Sequence, residues 1–277
     1  MTGFFSALLI NPFLQYALIA GVLASIACGI IGTYVVTKKI TFLSGGIAHT
    51  VLGGVGIACY LNKIYGTNIP PLYGAMVVAL IAAIAIGLIN LYSEYESDTV
   101  IGALWSLGMA VGVIFISMTP GYNTDLMSYL FGNILMVSKS DLYLMITLDV
   151  VIIFLGLLFY NKFTAICFDE EFARVKGIRV TFYYLLLLCL TALTIVALIQ
   201  VVGLILVIAL LIMPAAIAKQ YVNNMWKMML VAVILGILFT FSGLLISYEP
   251  NLPSGAMIIL VTSFFFIVSI LHKKYFK

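Results

Sequence analysis

Charge is what this sequence has least of. Only 8% of its 277 residues are Asp, Glu, Lys or Arg, against 64% hydrophobic, whereas a soluble domain carries about 25% charged residues. Ten acidic and thirteen basic side chains cannot solvate a water-facing surface of this size, so lipid must be the solvent for most of the chain. Other absences exclude activities. There is no GxxxxGK[ST] phosphate loop, so ATP is not hydrolysed here by that chemistry and any driving energy must come from a partner subunit or an ion gradient. No HExxH and no paired nucleophile and base occur, which argues against an intramembrane hydrolase. No basic stripe of the kind that binds nucleic acid is visible. The four cysteines, Cys28, Cys59, Cys167 and Cys189, lack CxxC spacing, and in apolar runs a thiol behaves as a small hydrophobe. Twelve methionines form no Mx3M ladder, so core packing explains them better than copper binding. No Lys or Arg precedes Lys38, so the basic n-region of a signal peptide is missing and insertion is expected to rely on the first transmembrane helix.

What remains is apolar helix. A spanning helix needs about 20 apolar residues to cross roughly 30 Å of hydrocarbon. Such runs fall near 14–36, 43–62, 71–92, 98–118, 141–161, 180–200, 202–218, 228–248 and 255–271. The uncharged stretch from Val180 to Ala218 is too long for one crossing, and Gln200 and Gly203 mark its turn. The expectation is an all-α, polytopic integral membrane protein, a bundle of eight or nine transmembrane helices forming one domain over 1–277. Basic residues collect near span ends at Lys38 and Lys39, at Arg174, Lys176 and Arg179, at Lys219 and Lys227, and at Lys273, Lys274 and Lys277. Alternating crossings put all four clusters on one side, which the positive-inside rule makes cytoplasmic. Nine spans then leave the N-terminus outside.

Two segments do not read as spans. Thr119 to Asp125 is a turn signal, followed by a stretch, 126–137, too short to cross and read as a short outer helix. The run 168–178 is the most charged in the protein. Asp169, Glu170 and Glu171 are expected in the first turn of a short helix, with Arg174 and Lys176 toward its end, as the helix dipole prefers. A docking element for another subunit looks like this, and so does a solvated loop.

Two histidines occur. His272 lies in a basic C-terminal tail and suits a headgroup-facing position. His49 lies inside the second span, where an ionisable group is costly and marks a functional site by default. Its imidazole suits a divalent transition metal; the structural alternative is a histidine satisfied by a hydrogen bond across a helix interface. Gly45 and Gly46 precede His49, and Gly53, Gly54 and Gly56 follow. Such residues allow close helix approach or a break beside a cavity. No carboxylate lies between Thr41 and Asn62, so a cation site at His49 must draw ligands from other helices, a second protomer or water. Asp149, inside the fifth span, is a second membrane-embedded group by the same cost argument, with a snorkelling or hydrogen-bonded role as the alternative. Glu249 belongs to an outer loop stiffened by Pro250 and Pro253.

Five segments carry a family resemblance: TKKITFLSGGIAHTVLGGV (37–55), ESDTVIGALW (96–105), SYLFGNIL (128–135), FDEEFARVKG (168–177) and VGLILVIALLIMPAA (202–216). Together and in order they resemble the permease subunits of bacterial ABC importers for zinc, manganese and sometimes iron. The resemblance implies a small relative of the cobalamin and iron-siderophore importer permeases in the bacterial cytoplasmic membrane, with no bound cofactor and a transported divalent metal, zinc, manganese or iron. It also implies a second copy of the chain, two ATP-binding cassette subunits and an extracytoplasmic metal-binding protein as partners. Under it 168–178 becomes the coupling helix, with Asp169, Glu170, Glu171, Phe172, Ala173, Arg174 and Gly177 facing the ATPase. His49 falls on the translocation path with Asp149 and Glu249 as helpers, and Gly45, Gly46, Gly53 and Gly54 serve packing or hinging. One position departs: many members have an Asp four residues before the His, and here it is Gly45. A carboxylate-poor imidazole site tilts toward zinc over manganese. The rival expectation is a stand-alone secondary transporter driven by an ion gradient.

Overall fold

The computed structural model describes residues 2–66, 70–92, 97–119, 134, 137–250 and 252–276. No strand occurs among them. Twelve helices do: α1 Thr2–Ile10, α2 Pro12–Lys38, α3 Thr41–Tyr65, α4 Pro71–Tyr92, α5 Ser97–Ser117, α6 Lys139–Leu158, α7 Tyr160–Phe168, α8 Glu170–Val175, α9 Val180–Val202, α10 Leu204–Tyr221, α11 Met225–Tyr248 and α12 Ser254–Phe276. Nine of these, α2 to α6 and α9 to α12, are long and apolar enough to cross a membrane. They match the nine runs read from the sequence. The uncharged run breaks at Gly203, whose φ of +83° a side chain would resist. The short outer helix expected at 126–137 lies almost wholly outside the described residues.

The chain divides into two compact units. The first comprises Met1–Thr37, Leu126–Leu158 and Ala197–Lys277; the second comprises Lys38–Asp125 and Phe159–Val196. In the first unit, α2 runs against α10 and α11 with almost no side chain between. A Cβ on Gly29 would stand 2.8 Å from the Val233 backbone nitrogen, and Gly32 abuts the Leu211 carbonyl. Ser25 and Thr240 face each other at 3.4 Å, and the buried Tyr34 hydroxyl donates to the Gly156 carbonyl of α6 at 3.0 Å. The helix α1 was not foreseen, because nine residues are too few to span. Asn11 separates it from α2 by accepting from the Phe13 amide at 3.0 Å, with Pro12 at the first helical position where its missing N–H costs nothing. Phe4, 1% exposed, anchors α1 edge-on against Phe241 and Tyr248.

The second unit is organised around α3, which lies between α4 and α5. Glycine meets glycine at both interfaces. A Cβ on Gly53 would sit 3.0 Å from the Gly108 carbonyl, one on Gly56 2.6 Å from that of Gly112, and Gly54 abuts Gly74. Gly108 and Gly112 form a GxxxG spacing on α5. In lipid no hydrophobic force drives helices together, so close backbone approach and the dispersion it allows do that work. Thr50 adds a hydroxyl directed to the carbonyls of Gly46 at 2.7 Å and Leu104 at 3.4 Å. As a result 78% of the α3 span is enclosed, against 22% for α5. The helix carrying His49 is therefore interior.

Candidate functional site

His49 sits about two turns into α3, which runs unbroken through Gly45 and Gly46. Its imidazole stacks on the indole of Trp105 from α5, centroids 4.0 Å apart and planes 9° from parallel. The indole is itself held, because Trp105 Nε1–H donates to Met109 Sδ at 3.0 Å. His49 Nδ1 is buried and meets no hydrogen-bond partner, which leaves Nε2 for a ligand. The glycines around it differ in kind. Gly46 is crowded by Ile101, whereas a Cβ at Gly45 would meet nothing within 4 Å, and the same holds for Gly102 on α5. Gly45 precedes His49 by one turn on the same helix face. Among the described residues no group of three or more His, Cys, Asp or Glu converges. A single chain thus offers an imidazole with open space beside it and no preformed cage.

The other embedded ionisable group singled out in the sequence belongs to the first unit. Asp149 stands midway along α6, a helix of which only 28% of the span is enclosed, yet its side chain is 2% exposed. Neither carboxyl oxygen has a hydrogen-bond partner. A buried carboxyl without partners is among the costliest arrangements a bilayer helix can hold, so snorkelling does not describe it. Glu249 caps the C-terminal end of α11 and is exposed.

The helix expected at 168–178 is shorter than the sequence suggests. Phe168 ends α7, and Asp169 is not in the first turn of the next helix but is its N-cap. Its backbone is extended (φ −153°, ψ 107°) and its carboxylate accepts from the Phe172 amide at 3.0 Å. The six-residue α8 closes on Gly177 at φ +75°, with Gly177 N–H donating to Arg174 O at 2.9 Å and Ile178 N–H to Ala173 O at 3.0 Å. That pairing is a Schellman closure, which favours glycine at the left-handed position. Ala173 is buried and fixes the helix, while Glu171 and Arg174 are exposed. Phe168, Phe172 and Val175 are 66%, 52% and 87% exposed. Glu170 turns the other way and forms an ion pair with Lys38, whose ammonium also donates to the Ile166 carbonyl at 2.9 Å. Lys38 ends α2, and one left-handed residue, Lys39 at φ +62°, leads into α3.

Sequence reasoning missed the Trp105 stack and the Lys38–Glu170 pair. Both join residues far apart in the chain, and no local spacing signals either.

The profile of the ABC 3 transport family matches residues 11–273. The chain belongs to that family. An uncharacterized membrane protein of Synechocystis is 46% identical over 95% of this chain and 91% of its own length. The manganese transport system membrane protein MntC of Listeria monocytogenes is 38% identical over 97% and 93% respectively. Among solved structures, PsaBC from Streptococcus pneumoniae in complex with Fab matches with a TM-score of 0.85 at 35% identity, covering 97% of this chain and 94% of the other. As a member of the ABC 3 transport family with nine apolar helices among its described residues, the chain is a multi-pass transport subunit of the bacterial cytoplasmic membrane.

Proposed function

We propose that this chain is the membrane-spanning subunit of an ATP-driven importer that moves a divalent transition metal ion received from an extracytoplasmic binding protein. Two copies form the path, and two ATPase subunits drive it. The observation that carries the reading is His49: an imidazole on an interior helix, held by a ring stack, with one nitrogen available and no carboxylate locking it. Such a group binds a transition metal ion weakly enough to release it, which conduction through a membrane requires. Asp149 and Glu249 are proposed as further cation-facing groups along the path.

The drive must come from another chain, since this one has no phosphate-binding loop. The segment from Asp169 to Gly177 suits a docking handle. It is capped at both ends, so its shape survives load, and it offers Phe168, Phe172 and Val175 beside charged Glu171 and Arg174. Exposed apolar side chains rimmed by charge are what a partner surface covers. A secondary carrier would have no use for this handle.

On the cargo, two arguments pull apart. Manganese stands in the name of the Listeria relative, while an imidazole without a carboxylate favours zinc. Reconstitution tests both the class and the ion. The purified chain in liposomes with its cognate ATPase and binding protein is expected to accumulate radiolabelled manganese or zinc only when ATP is supplied, each ion measured with the other as competitor. Accumulation by the chain alone under a proton or sodium gradient would replace this reading with the secondary carrier.

A further inference from the structure

We infer that Trp105 is a positioning residue for the metal ion, holding the His49 ring in the orientation that lets Nε2 ligate. The inference rests on the reading of His49 given above and adds what orients it. A histidine that binds a metal through one nitrogen almost always donates its other N–H to a carboxylate, carbonyl or water, and that bond fixes both tautomer and ring direction. His49 has no such partner: Nδ1 is buried and meets no acceptor. An imidazole held only at its Cβ would turn about its last side-chain torsion, which is broad for such rings.

What replaces the missing bond is the indole. At 4.0 Å and 9° the two planes lie in face-to-face contact, and rotation of the imidazole would drive its edge into the ring beside it. The indole is itself restrained by its own N–H, which is directed to Met109 Sδ one turn along α5. The close packing of α3 on α5 through Thr50, Gly53 and Gly56 sets the distance between the two rings.

The stack also has an electrostatic consequence. When Nε2 takes a divalent ion, the imidazole gains positive character, and an aromatic face attracts a cation, tryptophan most strongly. The stack is therefore tighter with metal bound than without it. The same contact gives a metal ion no extra lone pair, so it orients the ligand without turning a transient site into a trap. The role differs from that of Gly45, where a side chain would add a ligand rather than direct one.

The stack makes the test direct, since the protein has only two tryptophans. In a Trp226→Phe background of the full chain in nanodiscs, all indole fluorescence comes from Trp105. Titration with paramagnetic Mn(II) or Co(II) is expected to quench it saturably, and His49→Ala is expected to abolish the quenching. Direct binding of radiolabelled manganese gives the second readout. Trp105→Phe, which keeps an aromatic face, should bind within about twofold of the parent, whereas Trp105→Leu should bind about tenfold more weakly, with thermal unfolding unchanged. Unchanged affinity in Trp105→Leu, or indole emission indifferent to bound metal, overturns the role of Trp105 while leaving His49 in place. Undiminished binding in His49→Ala instead overturns the reading on which it rests.

Discussion

Gly45 and His49 stand one turn apart on the same face of α3, and the space beside Gly45 is open. Packing therefore does not account for the absence of a side chain there, in contrast to Gly46, Gly53 and Gly54, which neighbouring residues crowd. The permeases that this sequence resembles often carry Asp at this position, where its carboxylate joins the imidazole. Gly45→Asp should fold as the parent does, since its Cβ meets nothing. It should raise manganese affinity by tenfold or more and shift preference from zinc toward manganese, because oxygen donors suit manganese and imidazole suits zinc. Equilibrium binding of the two ions to the parent and the variant checks this. Identical affinities would mean that the face of α3 shared by the two positions does not meet the ion. His49 was legible in the sequence because an ionisable residue inside an apolar run is costly wherever the helix packs. Trp105 was not, since a ring stack between two helices depends on their register and crossing, which one sequence does not encode locally.

At the scale of elements, spans followed directly from hydrophobic length, and the break at Gly203 from its glycine. The amphipathic segment after α7 was legible as a helix, but its limits were not. Phe168 completes the preceding helix because Asp169 takes extended backbone to cap the next one, and capping geometry decides such boundaries. The Lys38–Glu170 pair is the element-level finding with the clearest mechanical content. It ties the first turn of α8 to Lys38, the last residue of α2, which Lys39 and Ile40 connect to α3, the helix that carries His49. Both side chains are partly buried, 14% and 33% exposed, so solvent screens the pair less than a surface one. Glu170→Lys should leave basal ATPase activity of the assembled complex intact while lowering the metal transported per ATP, because the docking face is kept and its link to α3 is lost. Reversing both charges, Lys38→Glu with Glu170→Lys, should restore much of the ratio. Measuring ATP hydrolysis and uptake in the same vesicles checks it, and a swap no better than the single variant would deny the link.

At the scale of the molecule, the second unit holds His49, Trp105, the glycine-lined interfaces of α3 and the segment proposed to dock the ATPase, all within one compact body. A displacement imposed on α8 by a partner can therefore reach α3 without leaving that body, which is what a rigid-element motion requires. Asp149 and Glu249 belong to the first unit. Among the described residues no group of three or more His, Cys, Asp or Glu converges, and a weak site suits passage better than storage. The central claim is that the ion passes His49 under ATP drive. ATP-dependent uptake of manganese and zinc by His49→Ala, in the complete complex with matched protein levels and unchanged thermal unfolding, tests it most directly. The expected result is a loss of at least tenfold in uptake of the transported ion with ATP hydrolysis retained. Uptake equal to that of the parent for both ions would contradict it.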